Sequence, residues 1–127
     1  MKKHLIFTLF LSAALISLIG CKKSSTEITC NLSAPESQPS VAMNVVYSVT
    51  QTGDGIIGTL SYATNSGLVT VQGPKLPWTI TVPVIAGTHV TISASGMTEN
   101  GSLTVSYVGA GEGSTIQGSD SCEQQTD

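Results

Sequence analysis

The feature that most constrains this chain is a period of two. From Val41 to Tyr107, apolar residues alternate with Thr, Ser and Asn, interrupted only by Gly- and Asn-rich turns. Val41, Met43, Val45, Tyr47 and Val49 alternate against Asn44, Ser48 and Thr50. After the turn Gln51–Gly55 come Ile56–Tyr62, the turn Thr64–Gly67 and Leu68–Val71. Trp78, Ile80, Val82 and Val84 then alternate with Thr79 and Thr81, and Val90, Ile92 and Ala94 with Thr91 and Ser93. A turn from Gly96 to Gly101 precedes Leu103, Val105 and Tyr107, and a weak last strand falls around Ser114–Gln117. No window in this body has a helical period. Six or seven short strands with turns every roughly 8–12 residues predict an all-β fold, a small antiparallel β-sandwich of immunoglobulin-like or transthyretin-like kind. Each strand has one apolar face and one hydroxyl face, as expected when each sheet packs on one side and is wetted on the other.

The N terminus has a different grammar. Lys2 and Lys3 precede an uncharged apolar run, Leu5 to Gly20, which ends in Leu18-Ile19-Gly20-Cys21. The run is short for a membrane span, which needs about 20 residues. The pattern resembles a bacterial lipoprotein signal with its lipobox. The resemblance implies that residues 1–20 are removed and that Cys21 receives a diacylglyceryl group and an N-acyl chain such as palmitate. More than one chain makes attachment stable, since each buried methylene contributes about 0.8 kcal/mol. Without the resemblance, an uncleaved anchor or ordinary cleavage stays open. The implied location is the bacterial cell envelope: the outer membrane if the host is Gram-negative, because Lys22 stands where an inner-membrane retention signal has Asp. Lys22-Lys23-Ser24-Ser25 lacks acidic residues, which favours facing the periplasm over the cell surface.

Residues 21–40, rich in Ser and Thr and carrying Pro35 and Pro39, read as a lipidated tether. A coil of about 18 residues would reach ~25 Å. Ile28–Leu32 leaves local pairing with the body open. The sandwich domain is expected over 41–118 and a C-terminal tail over 119–127. Beyond the signal, three Lys (Lys22, Lys23, Lys75) oppose eight Asp and Glu, a net charge of 3 − 8 = −5, with no Arg. Nucleic-acid binding needs clustered basic residues and is excluded. With Cys21 lipidated, Cys30 and Cys122 form an even pair in an oxidising compartment, the alternative being two unpaired thiols. Paired, they close a loop of about 90 residues. No further cysteine has metal-ligand spacing, so neither a metal nor another cofactor is expected.

Little points to catalysis. Gly53-Asp54-Gly55-Ile56-Ile57-Gly58 matches G-x-G-x-x-G, but the residues after it form a strand instead of the helix that a dinucleotide site requires, so a hairpin turn is the expectation. Gly109-Ala110-Gly111-Glu112-Gly113 has no following Lys-Ser or Lys-Thr and reads as a loop. His89, the sole histidine beyond the signal, falls on the hydroxyl face of its strand as a solvated side chain. Asp54, Glu99 and Glu112 read as dispersed turn residues, so the chain is expected not to be an enzyme.

Tyr47-Ser48-Val49-Thr50, then Leu60-Ser61-Tyr62, then Leu76-Pro77-Trp78-Thr79-Ile80 occur in an order that resembles the MmpS family, accessory proteins of MmpL-type lipid exporters. The likeness covers roughly Val45 to Val108, and Leu-Pro-Trp is its sharpest element. It implies a small extracytoplasmic β-sandwich, with Tyr47, Tyr62, Leu76, Pro77 and Trp78 as motif and core residues and an envelope transporter as partner. The chain departs from that family in having a lipobox in place of a spanning segment, and Ser or Tyr where the family has a body cysteine. Trp78 also has a plain role as the one large centre of an aromatic-poor core. The function expected is a membrane-anchored, non-catalytic transport accessory. Alternatives are a glycan- or protein-binding sandwich and an adhesin-like subunit pairing through an edge strand.

Overall fold

The computed structural model describes residues 27–124. Eight strands build the body: β1 (Ile28–Ser33), β2 (Met43–Gly53), β3 (Ile56–Thr64), β4 (Gly67–Gln72), β5 (Trp78–Val84), β6 (Ile92–Thr98), β7 (Gly101–Gly111) and β8 (Ser114–Gln124). They form two four-stranded antiparallel sheets, ordered β1-β6-β3-β4 and β5-β2-β7-β8. The protein is thus an all-β sandwich, with eight strands where the sequence suggests six or seven. Only the β3–β4 and β7–β8 hairpins stay within a sheet; the other five connections cross between sheets. β1 lies against β8 on one flank, which leaves β4 and β5 as the free edges of the other flank. The registers Ile28↔Thr98 and Gly101↔Gln124 put the first and last described residues at the same pole.

The alternation decides which residues go inside. Val45, Tyr47, Val49, Leu60, Val90, Ile92, Leu103 and Val105 are all fully buried. At about 25 cal/mol per Å² of apolar surface removed from water, such side chains supply the main drive for closing the sandwich. Hydroxyls on the outer faces pair across strands: Thr52 with Ser102 at 2.8 Å, Thr104 with Ser121 at 2.9 Å, and Ser61 with Thr70 at 3.2 Å. Such pairs each add a few tenths of a kcal/mol, roughly 0.2–1, while keeping the face wettable.

Four sequence expectations need correction. The body starts at Ile28, not Val41: β1 pairs with β6 along its whole length and buries Cys30 and Leu32. Its alternation is overshadowed by the Ser, Thr and Pro around it. Pro35 to Ser40 is also no tether, since Ser37 bridges to Val90, and the Pro39 carbonyl accepts a hydrogen bond from Gly87 N–H at 2.8 Å. At the other end β8 runs to Gln124, so residues 119–124 belong to a sheet and not to a tail. The third correction concerns the glycines. Gly53–Gly58 is no hairpin, because β2 and β3 lie in different sheets; Gly58 is a bulge where the β3–β6 register shifts. The bulge turns Ile57 inward and leaves Ile56 57% exposed. It also brings the Ile56 carbonyl to 2.1 Å from where a Cβ on Gly96 would lie. Gly96 therefore sits inside β6, opposite the bulge, and the turn is confined to Glu99 and Asn100. Finally, Gly109 to Gly111 end strand β7, leaving Glu112-Gly113 as the turn.

Candidate functional site

Four aromatic rings run through the core as a string. Trp78 lies 5.6 Å from Tyr62, Tyr62 lies 5.3 Å from Tyr47, and Tyr47 lies 6.3 Å edge-on from Tyr107. Tyr47 and Tyr107 are cross-strand partners, because β2 and β7 pair in register there. The Tyr47 hydroxyl donates to the Ala63 carbonyl at 2.8 Å, a bond that spans from β2 in one sheet to β3 in the other. Burial pushes the Tyr47 phenol up to about 12. The Tyr107 hydroxyl reaches the Pro35 carbonyl and the Ser37 hydroxyl, holding the segment after β1 against the core.

The motif residues divide by depth. Tyr47 and Tyr62 are core residues. Leu76 and Trp78 are only half-buried and pack on the core from its free flank, so they border the core without centring it. Pro77 is exposed and follows a cis peptide bond. The reason is topological: β5 is the last strand of its sheet, and nothing among the described residues covers its outer side. Cys30 and Cys122 are joined, with Cα atoms 5.8 Å apart, and tie β1 to β8 on the opposite flank. Cys21, expected to carry lipid, and the expected signal, residues 1–20, lie outside the described residues, as do residues 125–127.

The polar residues weighed for chemistry are engaged structurally. His89, exposed in the loop before β6, shares hydrogen bonds with the Glu36 carboxylate and the Gln38 amide. Asp54 is less dispersed than its sequence position suggests. Its carboxylate accepts hydrogen bonds from Thr98 Oγ1 and Glu99 N–H at 2.9 Å and from Asn100 N–H at 3.1 Å, capping the β6–β7 turn from the β2–β3 loop. Those bonds, Asn100 first, lower its pKa from the ordinary carboxylate value. Asn65 plays a similar part at the other pole, accepting from Ile85 N–H and donating to the Pro83 carbonyl. A cleft of 530 Å³ opens there between the β3–β4 turn and the β5–β6 loop, walled by Leu68, Ile85 and Thr88 over a floor of Ala63.

Charge is unevenly placed. No Asp or Glu occurs from Gly55 to Thr98, the segment that supplies both free edges; Lys75 is its one Lys or Arg. Sequence reasoning missed the Asp54 cap and the Asn65 clasp, because their partners lie 44 to 46 and 18 to 23 residues away. The available signal was a polar side chain capable of accepting backbone N–H bonds within a Gly-rich turn. Compared with protein-family models, curated proteins and solved structures, the chain matches none of them. Its fold and surface define a small disulfide-tied β-sandwich with one closed flank and one open, nearly uncharged flank.

Proposed function

We propose that this protein is a lipid-anchored, non-catalytic interaction module of the bacterial cell envelope that serves a membrane-embedded partner, in the manner of MmpS-like accessories of lipid exporters. The observation that carries the reading is where the body begins. β1 starts at Ile28, and Glu27 before it lies only six positions after Cys21. Six residues span at most about 20–22 Å even when fully extended. An anchor at Cys21 therefore keeps the sandwich against the bilayer, within contact of a membrane protein and out of reach of anything distant. The cystine between β1 and β8 fits export to an oxidising compartment. The half-buried Leu76 and Trp78 with the exposed Pro77 offer an apolar contact on the flank away from β1. His89, Asp54, Tyr47 and Tyr107 are occupied by structural contacts, which favours binding over turnover.

Gentle cross-linking in native membranes, then capture through a C-terminal tag, tests this. The expected result is recovery of a multispanning exporter, lost in Cys21→Ala although the body still folds. Acyl labelling of the wild type, absent in Cys21→Ala, checks the anchor separately. Recovery of glycan, or of no transporter, would refute the accessory reading and leave a binding module of another kind.

A further inference from the structure

Three of the four sheet edges carry protection against pairing with another chain. β1 is tied to β8 by the cystine, and its Ser33 N–H is taken by the Asp120 carboxylate at 2.9 Å. β8 carries Asp120 and Glu123. β5 holds Pro83, which has no N–H to offer. β4, Gly67-Leu68-Val69-Thr70-Val71-Gln72, has neither a charge nor a proline, and Leu68 is 67% and Val69 37% exposed.

The direction of its free groups follows from the hairpin. Gly73 N–H bonds to the Gly58 carbonyl on β3. By alternation, Gly67, Val69 and Val71 also turn their backbone groups toward β3, and Leu68, Thr70 and Gln72 turn theirs outward. Among the described residues no strand meets them.

We propose that β4 is a self-recognition edge, at which two copies of this chain pair antiparallel about a two-fold axis through Thr70. That register sets Thr70 opposite Thr70 and Leu68 opposite Gln72, so the outward groups exchange about six backbone hydrogen bonds. It also sets Val69 opposite Val71. Both lie on the inner face, paired across β3 with the core residues Tyr62 and Leu60, so the two cores extend into one another. Any other register that keeps inner faces together shifts the axis to Val69 or Val71 and shortens the ladder of a six-residue strand.

Charge leaves this flank open to a second copy. A body of net charge −5 repels its own kind, and a two-fold contact places like residues near like. The acidic residues lie outside Gly55–Thr98, so the β4 flank is where two copies meet without a clash of carboxylates. The β1 corners from which Cys21 would anchor each copy are diagonal across the merged sheet, so an anchored pair lies along the bilayer. The inference goes beyond the anchored-module reading and does not depend on it.

The test uses the full-length chain, co-expressed with two different tags and extracted in mild detergent. The wild type should co-purify with itself. Thr70→Lys on both copies and Thr70→Glu on both copies should each reduce recovery at least tenfold, since like charges then face each other on the axis. Thr70→Lys with Thr70→Glu should restore it, which a misfolded variant could not do. Asn31→Lys, on the exposed face of β1, should leave recovery unchanged. Absence of self-association in the wild type, or co-purification indifferent to the Thr70 pairings, would overturn the proposal.

Discussion

Replacing Tyr47 with Phe removes one hydroxyl from the middle of the sandwich and keeps the ring. At neutral pH the loss is one buried hydrogen bond, Tyr47 Oη to the Ala63 carbonyl at 2.8 Å. A neutral bond of this kind contributes about 1 kcal/mol net, and a carbonyl left short of a donor raises the cost to about 2 kcal/mol. The variant should therefore be less stable by about 1–2 kcal/mol at pH 7. In alkali the order should reverse. The phenol titrates at about 12 in the folded protein against an ordinary 10.0, so its raised value contributes stability fully below pH 10 and loses it as pH rises toward 12. Two pKa units correspond to about 3 kcal/mol, roughly half of it gone by about pH 11. Tyr47→Phe has no phenol to ionise there, so the two stability curves should cross near that pH. Urea unfolding of both proteins, in soluble form beginning at Lys22, from neutral pH to beyond the crossing measures this directly. A gap that stays constant across the series would refute the claim that burial of Tyr47 governs its ionisation.

Three further outcomes follow from the same structure. Cys30→Ala/Cys122→Ala opens a loop with a sequence separation of 92; it should lower unfolding free energy by up to ~4.6 kcal/mol in the chain-entropy model, matched by reducing the wild type. Asp54→Ala frees two backbone N–H groups and the buried Thr98 hydroxyl. It should lower the thermal midpoint at neutral pH more than Asp54→Asn, which keeps an acceptor. Because the folded pKa of Asp54 is depressed, the carboxylate's contribution is present above its ordinary 3.8 and fades as pH falls through the lower folded value. The gap from wild type should narrow there, and a gap unchanged in acid would count against the cap. Gly118→Ala puts a Cβ 2.8 Å from the Tyr107 ring. The Tyr107 hydroxyl is held by Pro35 and Ser37, so the ring cannot simply swing away; calorimetry should show a loss of about 1–3 kcal/mol.

How much was legible differs by element. β5 and the middles of β2 and β7 could be read almost residue by residue, because apolar and polar residues alternate there and the inner face is apolar; the glycine-bearing ends of β2 and β7, residues 51–53 and 109–111, read instead as turn and loop. β1 has the same alternation over fewer residues, and its Pro- and Ser-rich surroundings argued for a tether. In β3 the bulge at Gly58 breaks the parity, so strict period two would bury Ile56 in place of Ile57. Pairing Cys30 with Cys122 was legible from parity of cysteines, though not their place on facing edge strands. The motif residues Leu76, Pro77 and Trp78 stood out by type, but nothing local says that β5 ends a sheet and leaves them at its margin.

The sequence by itself determined that this chain is all β and which residues of most strands face inward, because strand geometry has a period that side-chain polarity writes directly into the chain. Strand partnership was decided only in three dimensions. Two neighbours in sequence, β2 and β3, sit in different sheets, and β1 and β8, at opposite ends of the chain, share a flank. Those choices rest on the fit of whole faces and on bonds such as Tyr47 to Ala63 and Asp54 to Asn100, whose partners no local window contains. They also decided which edge stays bare: β4 is unremarkable as a run of six uncharged residues, and becomes a candidate surface only because the sheet ends there.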